Sequence, residues 1–244
     1  MRLLWAAAAT LLMLGLWQAV VSLAGLPPFI LPGPGRVAAA LWTNRALIAS
    51  NAGVTMIEVM IGLVAGTVVG AAVAIGLAAS TTARSLLQPI LVFSQAVPVF
   101  ALAPILTLWL GYGIASKVVM AVLIIFFPVA SSFLDGLLAT PPGYLDLARC
   151  MGARPGAALW RIRVPAALPS LASGLRLAAV YAPIGAVIGE WVGASRGLGY
   201  LMLLANGRAK VDLMFAALLV LAAFTIALHA VIDRLATKAQ SAAS

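Results

Sequence analysis

The sequence predicts an all-α polytopic membrane protein with about six transmembrane helices. Of its 244 residues, 64% are hydrophobic and 9% are charged, and the mean hydropathy is +1.13. A soluble domain usually carries about 25% charged residues, so a soluble core could not enclose this much apolar surface. Several apolar runs also reach the roughly 20 residues that a helix needs to cross a bilayer.

The first predicted span covers residues 3–24. Arg2 and the apolar run after it resemble a secretory signal, but Leu3 to Val21 exceeds the roughly 7–15 residues of a signal's apolar region, so we expect a retained span. The proline- and glycine-rich residues 27–35 predict a loop. Residues 36–49 predict an amphipathic helix at the membrane interface.

The second predicted span, residues 54–79, carries small residues at every fourth position. This stripe is Gly62, Gly66, Gly70 and Ala74. Small residues at this spacing let a second helix approach closely. Glu58 lies one turn earlier on the same face, and we expect it to point into protein because a carboxylate in lipid costs about 2.5–3.5 kcal/mol.

Prolines interrupt the middle of the chain. A short loop containing Arg84 and Pro89 leads to the third span, residues 90–110, and a turn at 111–113 leads to the fourth, residues 117–138. The third span contains Pro98 and Pro104, and the fourth contains Pro128. Each proline removes a backbone hydrogen bond, which predicts kinks or breaks where protein or water satisfies the freed carbonyls.

The fifth and sixth predicted spans are residues 167–192, kinked near Pro183, and residues 213–235. The polar residues 193–211 between them predict a turn or a re-entrant corner. The sequence contains no soluble domain, linker or internal repeat, so we expect one transmembrane domain over residues 1–244.

The charge distribution predicts the orientation of the chain. Six spans place both termini on one side of the membrane, and that side holds nine of the fifteen Lys and Arg residues against six on the other. Positive charge favours the cytoplasmic side, so both termini are expected there, near anionic lipid. No basic stripe with interleaved aromatics lies outside the spans, so no nucleic-acid partner is expected. Cys150 is the single cysteine, which excludes a disulfide framework.

Residues 140–166 form the most basic interruption of the apolar chain. Four residues at i, i+3, i+4 and i+7 form one apolar face of a helix, namely Tyr144, Leu147, Ala148 and Met151. Gly152 is expected to end this helix, Pro155 to start a second one and Pro165 to end that one. The residues alone leave two interpretations open, a loop tucked under the bundle or a surface on which a partner docks.

The same segment resembles the EAA loop of ABC-importer permeases. Asp146-Leu147-Ala148, Gly152 and Ile162-Arg163-Val164-Pro165 match the spacing of that pattern, with Asp in the first place. Trp109 to Gly113 and Gly189 to Gly193 are similar to the nitrate/sulfonate/taurine branch of these permeases. Within the branch, the chain most resembles permeases for the hydroxymethylpyrimidine precursor of thiamine or for riboflavin.

This resemblance implies a type I ABC-importer permease in the bacterial cytoplasmic (inner) membrane. It implies a homodimer, two cytoplasmic ABC ATPase subunits and a periplasmic or lipid-anchored solute-binding protein. The residues implied in ATPase coupling are Asp146, Ala148, Gly152, Arg154, Ile162 and Pro165. The chain lacks G-x-x-x-x-G-K-[ST], so ATP and Mg²⁺ are expected on the ATPase, with no cofactor, metal or catalytic residue in this chain.

Four polar residues are candidates for the substrate path: Glu58, Gln95, Tyr181 and Glu190. Gln95 and Tyr181 lie just before prolines, where freed backbone can line a path. Glu58 could instead make a helix-packing hydrogen bond, and Glu190 could pair with Arg196 at the interface.

Two other classes of function are possible in principle. An intramembrane enzyme would need a cluster of nucleophile, base or metal ligands, whereas the single histidine and single cysteine lie on different segments. A secondary carrier working without an ATPase would more often show inverted repeats. The expected cargo is a thiamine pyrimidine precursor, with riboflavin or a sulfonate, taurine or nitrate as alternatives.

Overall fold

The computed structural model describes the backbone of residues 2–243 and the side chains of residues 5 and 8–238. The described part contains eleven α-helices and no strands, which confirms the all-α prediction. In chain order they are α1 (Arg2–Leu23), α2 (Pro34–Thr43), α3 (Arg45–Ala79), α4 (Thr81–Ser94), α5 (Val99–Leu110), α6 (Ile114–Leu138), α7 (Pro142–Cys150), α8 (Pro155–Ala158), α9 (Val164–Gly193), α10 (Leu198–Gly207) and α11 (Val211–Ala243).

Four helical stretches in the described part are long and apolar enough to cross a membrane. They are Arg45–Ala79, Ile114–Leu138, Pro155–Gly193 and Val211–Lys238. The bent pair α4 and α5 makes a fifth if it is counted as one span. The first predicted span falls on α1, which is 22 residues long, and its stretch Ala8–Leu23 is apolar.

Helices α3, α6 and α9 form the centre of the bundle, and the stripe of small residues on α3 is where α6 approaches. A methyl group at Gly62 would lie 2.5 Å from the Ala121 Cβ, and one at Gly70 would lie 2.6 Å from the Phe126 carbonyl oxygen. Side chains larger than hydrogen would therefore force the two helices apart. This confirms the close helix approach that the spacing of the stripe predicts.

The predicted interfacial helix over residues 36–49 is shorter than expected. Helix α2 ends at Thr43, where Asn44 adopts a non-helical conformation and its side-chain amide donates to the Ala40 carbonyl at 2.9 Å. Residues from Arg45 onward already belong to α3. The second span is therefore longer than predicted, at 35 residues.

The predicted loop around Arg84 and Pro89 is wrong, because this segment is helix α4. Ser80 caps its start by accepting a hydrogen bond from the Ala83 N–H at 3.2 Å. The chain then bends by 96° between α4 and α5, at Pro98. Pro104 stays inside α5, so only the first of the two predicted prolines breaks the span. Pro98 disfavours the α conformation in the residue before it, which explains a break at this point.

The basic segment contains two helices, as predicted. Gly152 ends α7 with a φ of +77°, and Pro155 begins α8. The expected stop at Pro165 is wrong, because the chain runs as one helix from Pro155 to Gly193 through a π-helical stretch, Leu159–Arg163. The wider π turn gives the Pro165 ring room at the carbonyl four residues earlier.

The polar residues 193–211 contain a helix in addition to the expected turn. Helix α10 shares an apolar cluster with α2 and the start of α11, and this cluster includes Val37, Leu201 and Leu213. The fifth and sixth spans lie on α9 and α11, close to their predicted positions. Pro183 is buried inside α9 and does not end it.

Candidate functional site

Helix α7 turns most of its apolar face away from the bundle. Ala148 is buried, but Tyr144, Leu147 and Met151 are 62%, 58% and 78% exposed. Asp146 and Arg149 form an exposed ion pair at 2.8 Å on the same helix. An apolar face this exposed, next to charged side chains, is typical of a surface that another protein covers.

The segment that follows is anchored to the bundle. Leu159 is buried against the C-terminal end of α3 and the start of α9. The Arg163 guanidinium donates to the Ala78 carbonyl at 3.4 Å. Arg154 and Pro165 are exposed, and Ile162 is half-buried. The segment after α7 is thus tied to the end of α3 and to the start of α9.

A cavity of about 440 Å³ lies between α6, α9 and the end of α4. We call it the central cavity. Gln95 and Tyr181, predicted from separate segments as path residues, both line it, together with Phe127, Ser131 and Ser132. It therefore offers an aromatic ring, a phenol, an amide and two hydroxyls around one space.

Glu58 does not line this cavity. Its Oε1 accepts from the Lys117 ammonium at 3.0 Å, and the two side chains are 2% and 8% exposed. The other carboxylate oxygen has no hydrogen-bond partner among the described residues. Burying a charge is expensive unless it is paired, so this ion pair explains how α3 tolerates a carboxylate on its inner face.

Glu190 lies in the same buried region and holds the start of α10. Its Oε1 accepts from the Thr55 hydroxyl at 2.6 Å, and its Oε2 accepts from the Gly199 N–H at 2.5 Å. Thr55 in turn accepts from the Leu198 N–H at 2.8 Å. The alternative pair with Arg196 is not among the ion pairs of the described side chains.

Asn51 completes the network, because its Oδ1 accepts from the Gly197 N–H at 2.8 Å. Gly197 has a φ of +118°, which only glycine adopts readily, and a Cβ there would collide with the Glu190 carboxylate. We call Asn51, Thr55, Glu58, Lys117 and Glu190 the buried polar cluster. It lies at the end of α6 opposite the end that leads into α7.

A match to a known protein family identifies the family of this chain. Residues 62–241 match the family described as "Binding-protein-dependent transport system inner membrane component". The chain belongs to this family. It is therefore a permease subunit of an ABC importer, a non-catalytic membrane component.

Named relatives agree with this assignment. The permease is 51% identical over 221 residues to a probable ABC transporter permease protein of Haemophilus influenzae, covering 91% of this chain and 90% of the relative. It is 37% identical over 191 residues to the formylaminopyrimidine transport permease protein ThiX of Halalkalibacterium halodurans, covering 78% and 76%. It is 35% identical over 221 residues to the riboflavin transport system permease protein RibX of Chloroflexus aurantiacus, covering 90% and 82%.

A solved structure shares the fold. An inward-facing structure of the MetNI methionine ABC transporter matches with a TM-score of 0.61 and 20% identity. The match covers 86% of this permease and 98% of that chain. The type I importer fold expected from the sequence is thus confirmed.

The structure separates the four candidate path residues into two places. Gln95 and Tyr181 share the central cavity, whereas Glu58 and Glu190 are enclosed in the buried polar cluster. A role for the two carboxylates in the path stays a prediction. Sequence reasoning missed Lys117, Thr55 and Asn51. Lys117 was visible as a lone cation at the edge of an apolar span, but its partner on α3 could not be read from spacing.

Proposed function

We propose that this permease imports a thiamine pyrimidine precursor. It acts as a homodimer with two cytoplasmic ABC ATPases, which bind ATP and Mg²⁺, and with a periplasmic or lipid-anchored solute-binding protein. In this proposal, the described residues of the chain bind no cofactor or metal ion. Both termini and α7 face the cytoplasm in this arrangement.

The proposed cargo is chosen from the side chains that line the central cavity. Phe127 offers a ring on which a flat heteroaromatic solute can stack, and Gln95 and Tyr181 offer hydrogen bonds to ring nitrogens and an amine. The described residues that line the cavity include no Lys or Arg. A path for a sulfonate or nitrate would favour such a cation. The similarity to the formylaminopyrimidine permease points the same way.

Riboflavin is the second candidate, because the similarity to the riboflavin permease extends over 90% of this chain. A flavin is also flat and heteroaromatic, so stacking in the central cavity does not separate the two solutes. Measuring which of the two solutes competes for uptake distinguishes them.

We expect energy to enter through α7 and the turn after it. The coupling residues in this proposal are Asp146, Ala148, Gly152, Arg154, Ile162 and Pro165. The exposed apolar side chains of α7 would fill a groove on the ATPase, and the Arg163–Ala78 contact would pass the movement to α3.

Reconstitution tests the proposal. The permease, its ATPase and its binding protein are placed in liposomes, and uptake of radiolabelled hydroxymethylpyrimidine is measured with ATP and without it. We expect ATP-dependent uptake that excess unlabelled pyrimidine suppresses and that taurine does not. Suppression by riboflavin alone would indicate that riboflavin, and not the pyrimidine, is the cargo. Uptake without any ATPase would indicate a secondary carrier.

Two variants, measured in the same assay, test whether the solute passes through the central cavity. Tyr181→Phe and Gln95→Ala each remove one hydrogen-bonding group from the central cavity. We expect uptake to fall by roughly 3–10-fold, the size of one lost hydrogen bond, with ATPase activity retained. Unchanged uptake in both variants would contradict a path through this cavity.

A further inference from the structure

Three neighbouring openings in the permease share wall residues. The central cavity shares Phe127 and Ser131 with a narrow space of about 40 Å³. That narrow space shares Gln88 and Val92 with an open groove at the start of α4. The three openings therefore form one series between α4 and α6.

The series follows one face of each helix toward the α7 end. On α6 the lining residues Ile124, Ser131 and Asp135 are separated by seven and four positions, which keeps them on one face. Gln88 on α4 lies seven residues before Gln95, the residue that follows α4. Asp135 lies in the last turn of α6, just before α7, so the series runs away from the buried polar cluster.

Two prolines place polar backbone along the same series. Pro128 cannot donate to the Ile124 carbonyl, and both residues line the central cavity. Pro89 likewise cannot donate to the Ser85 carbonyl, and both line the open groove. Within a membrane, freed carbonyls are tolerated where protein or water satisfies them. Their positions favour a hydrated route.

Asp135 is a carboxylate near the end of α6. A carboxylate in the last turn of a helix lies at the negative end of the helix dipole, where it is unfavourable. The side chain is exposed, and none of the ion pairs between described residues includes it. Asp135 also lines the narrow space.

We propose that this series is the inward release route for the solute, with Gln88, Ser131 and Asp135 as its recognition residues. The inference rests on the proposed importer function. The Asp135 carboxylate accepts a hydrogen bond from the exocyclic amine of an aminopyrimidine, while Gln88 and Ser131 bond to ring nitrogens. The carboxylate also repels anionic solutes, so the route selects neutral or cationic heteroaromatic compounds.

Cysteine accessibility tests the route independently of the cargo. In a Cys150→Ser background, Gln88→Cys and Ser131→Cys are treated in inside-out vesicles with a cationic, membrane-impermeant thiosulfonate. Val68→Cys is the control, because Val68 is 63% exposed on α3, opposite the stripe of small residues. We expect labelling at positions 88 and 131 and none at position 68. No labelling at 88 and 131, or equal labelling at 68, would overturn the route.

The charge of Asp135 is tested with the same vesicles. At Ser131→Cys, a cationic reagent should react several-fold faster than an anionic one of the same size. Adding Asp135→Asn should remove most of that preference, whereas Asp212→Asn, a carboxylate on α11 away from the route, should not. A preference that survives Asp135→Asn would refute the electrostatic role.

Uptake by the reconstituted complex tests recognition. Asp135→Asn keeps an oxygen that accepts a hydrogen bond but removes its charge, so it should lower pyrimidine uptake about tenfold while ATPase activity stays at the wild-type rate. Wild-type uptake in this variant would contradict the recognition role and leave the importer function intact. Absence of pyrimidine uptake by the wild-type complex would instead refute the proposed cargo, and the labelling results would still decide the route.

Discussion

Removing one partner of the buried ion pair between Glu58 and Lys117 should destabilise the permease strongly. Lys117→Met leaves a carboxylate that is 2% exposed with one oxygen already lacking a partner. Breaking a buried pair in this way typically costs about 3–5 kcal/mol, because the remaining charge is desolvated without compensation. For a chain of this length, about 1 kcal/mol corresponds to roughly 2–4 °C in Tm, so we expect a fall of about 6–20 °C.

The double variant Glu58→Gln/Lys117→Met tests whether the unpaired charge is the cause. Replacing a buried ion pair with uncharged residues of similar size is often close to neutral. The double variant should therefore recover most of the stability lost in Lys117→Met. Tryptophan fluorescence during thermal unfolding in lipid nanodiscs gives both values, measured at one scan rate because such unfolding is often irreversible.

The exposed pair between Asp146 and Arg149 provides the matched comparison. Its side chains are 63% and 74% exposed, so Arg149→Met should change stability by less than about 1 kcal/mol. The reasoning is refuted if Lys117→Met is as mild as Arg149→Met. It is also refuted if the double variant is no more stable than Lys117→Met.

Three further substitutions test glycine positions. Gly199→Ala places a methyl group 2.8 Å from the Glu190 Oε2, so we expect loss of that hydrogen bond and a cost of about 1–3 kcal/mol, read as a lower Tm. Gly66→Val forces Ile125 away from α3, where a Cβ alone would approach to 2.8 Å, and should abolish the folded permease in size-exclusion profiles. Gly152→Asp puts a charged side chain at a φ of +77° beside the coupling helix and should abolish uptake in reconstituted liposomes.

Two glycines with open space around them provide control substitutions. Gly76→Ala and Gly207→Ala place a methyl group in open space, so both should keep wild-type Tm and elution. If they lower Tm as much as Gly199→Ala does, helix-wide effects and not the specific contacts are responsible. Normal uptake by Gly152→Asp would argue against docking of the ATPase at α7.

The sequence predicts most spans because bilayer thickness constrains length and composition strongly. It could not predict α4, where local capping by Ser80 makes a helix of a segment that contains Arg84 and Pro89. It also missed the continuation of the helix through Pro165, because a π-helical stretch is a response to local crowding and has no simple sequence pattern. The wrong helix boundaries thus lie near prolines, where a helix can either end or continue.

In the candidate site too, features formed by consecutive residues could be predicted, whereas contacts between distant residues could not. The coupling segment could be recognised because its pattern lies within about two dozen consecutive residues. Gln95 and Tyr181 could be suspected singly, but only the fold brings residues 86 positions apart in the sequence to one cavity. The partner of Glu58 lies 59 residues away, on a helix whose register against α3 no single sequence specifies.

The two ends of the bundle differ in the hydrogen bonds that join their helices. At the end away from α7, the buried polar cluster joins α3, α6, α9 and the turn before α10 through five hydrogen bonds at 2.5–3.0 Å. At the α7 end, the hydrogen bonds and ion pairs between described side chains include no such network across the openings between α4 and α6. Opening the far end would require these bonds to break together or their helices to move as one body. Because separate rupture would leave buried charges unpaired, we expect α3, α6, α9 and α10 to move as one body, with α4 and α5 closing the release route.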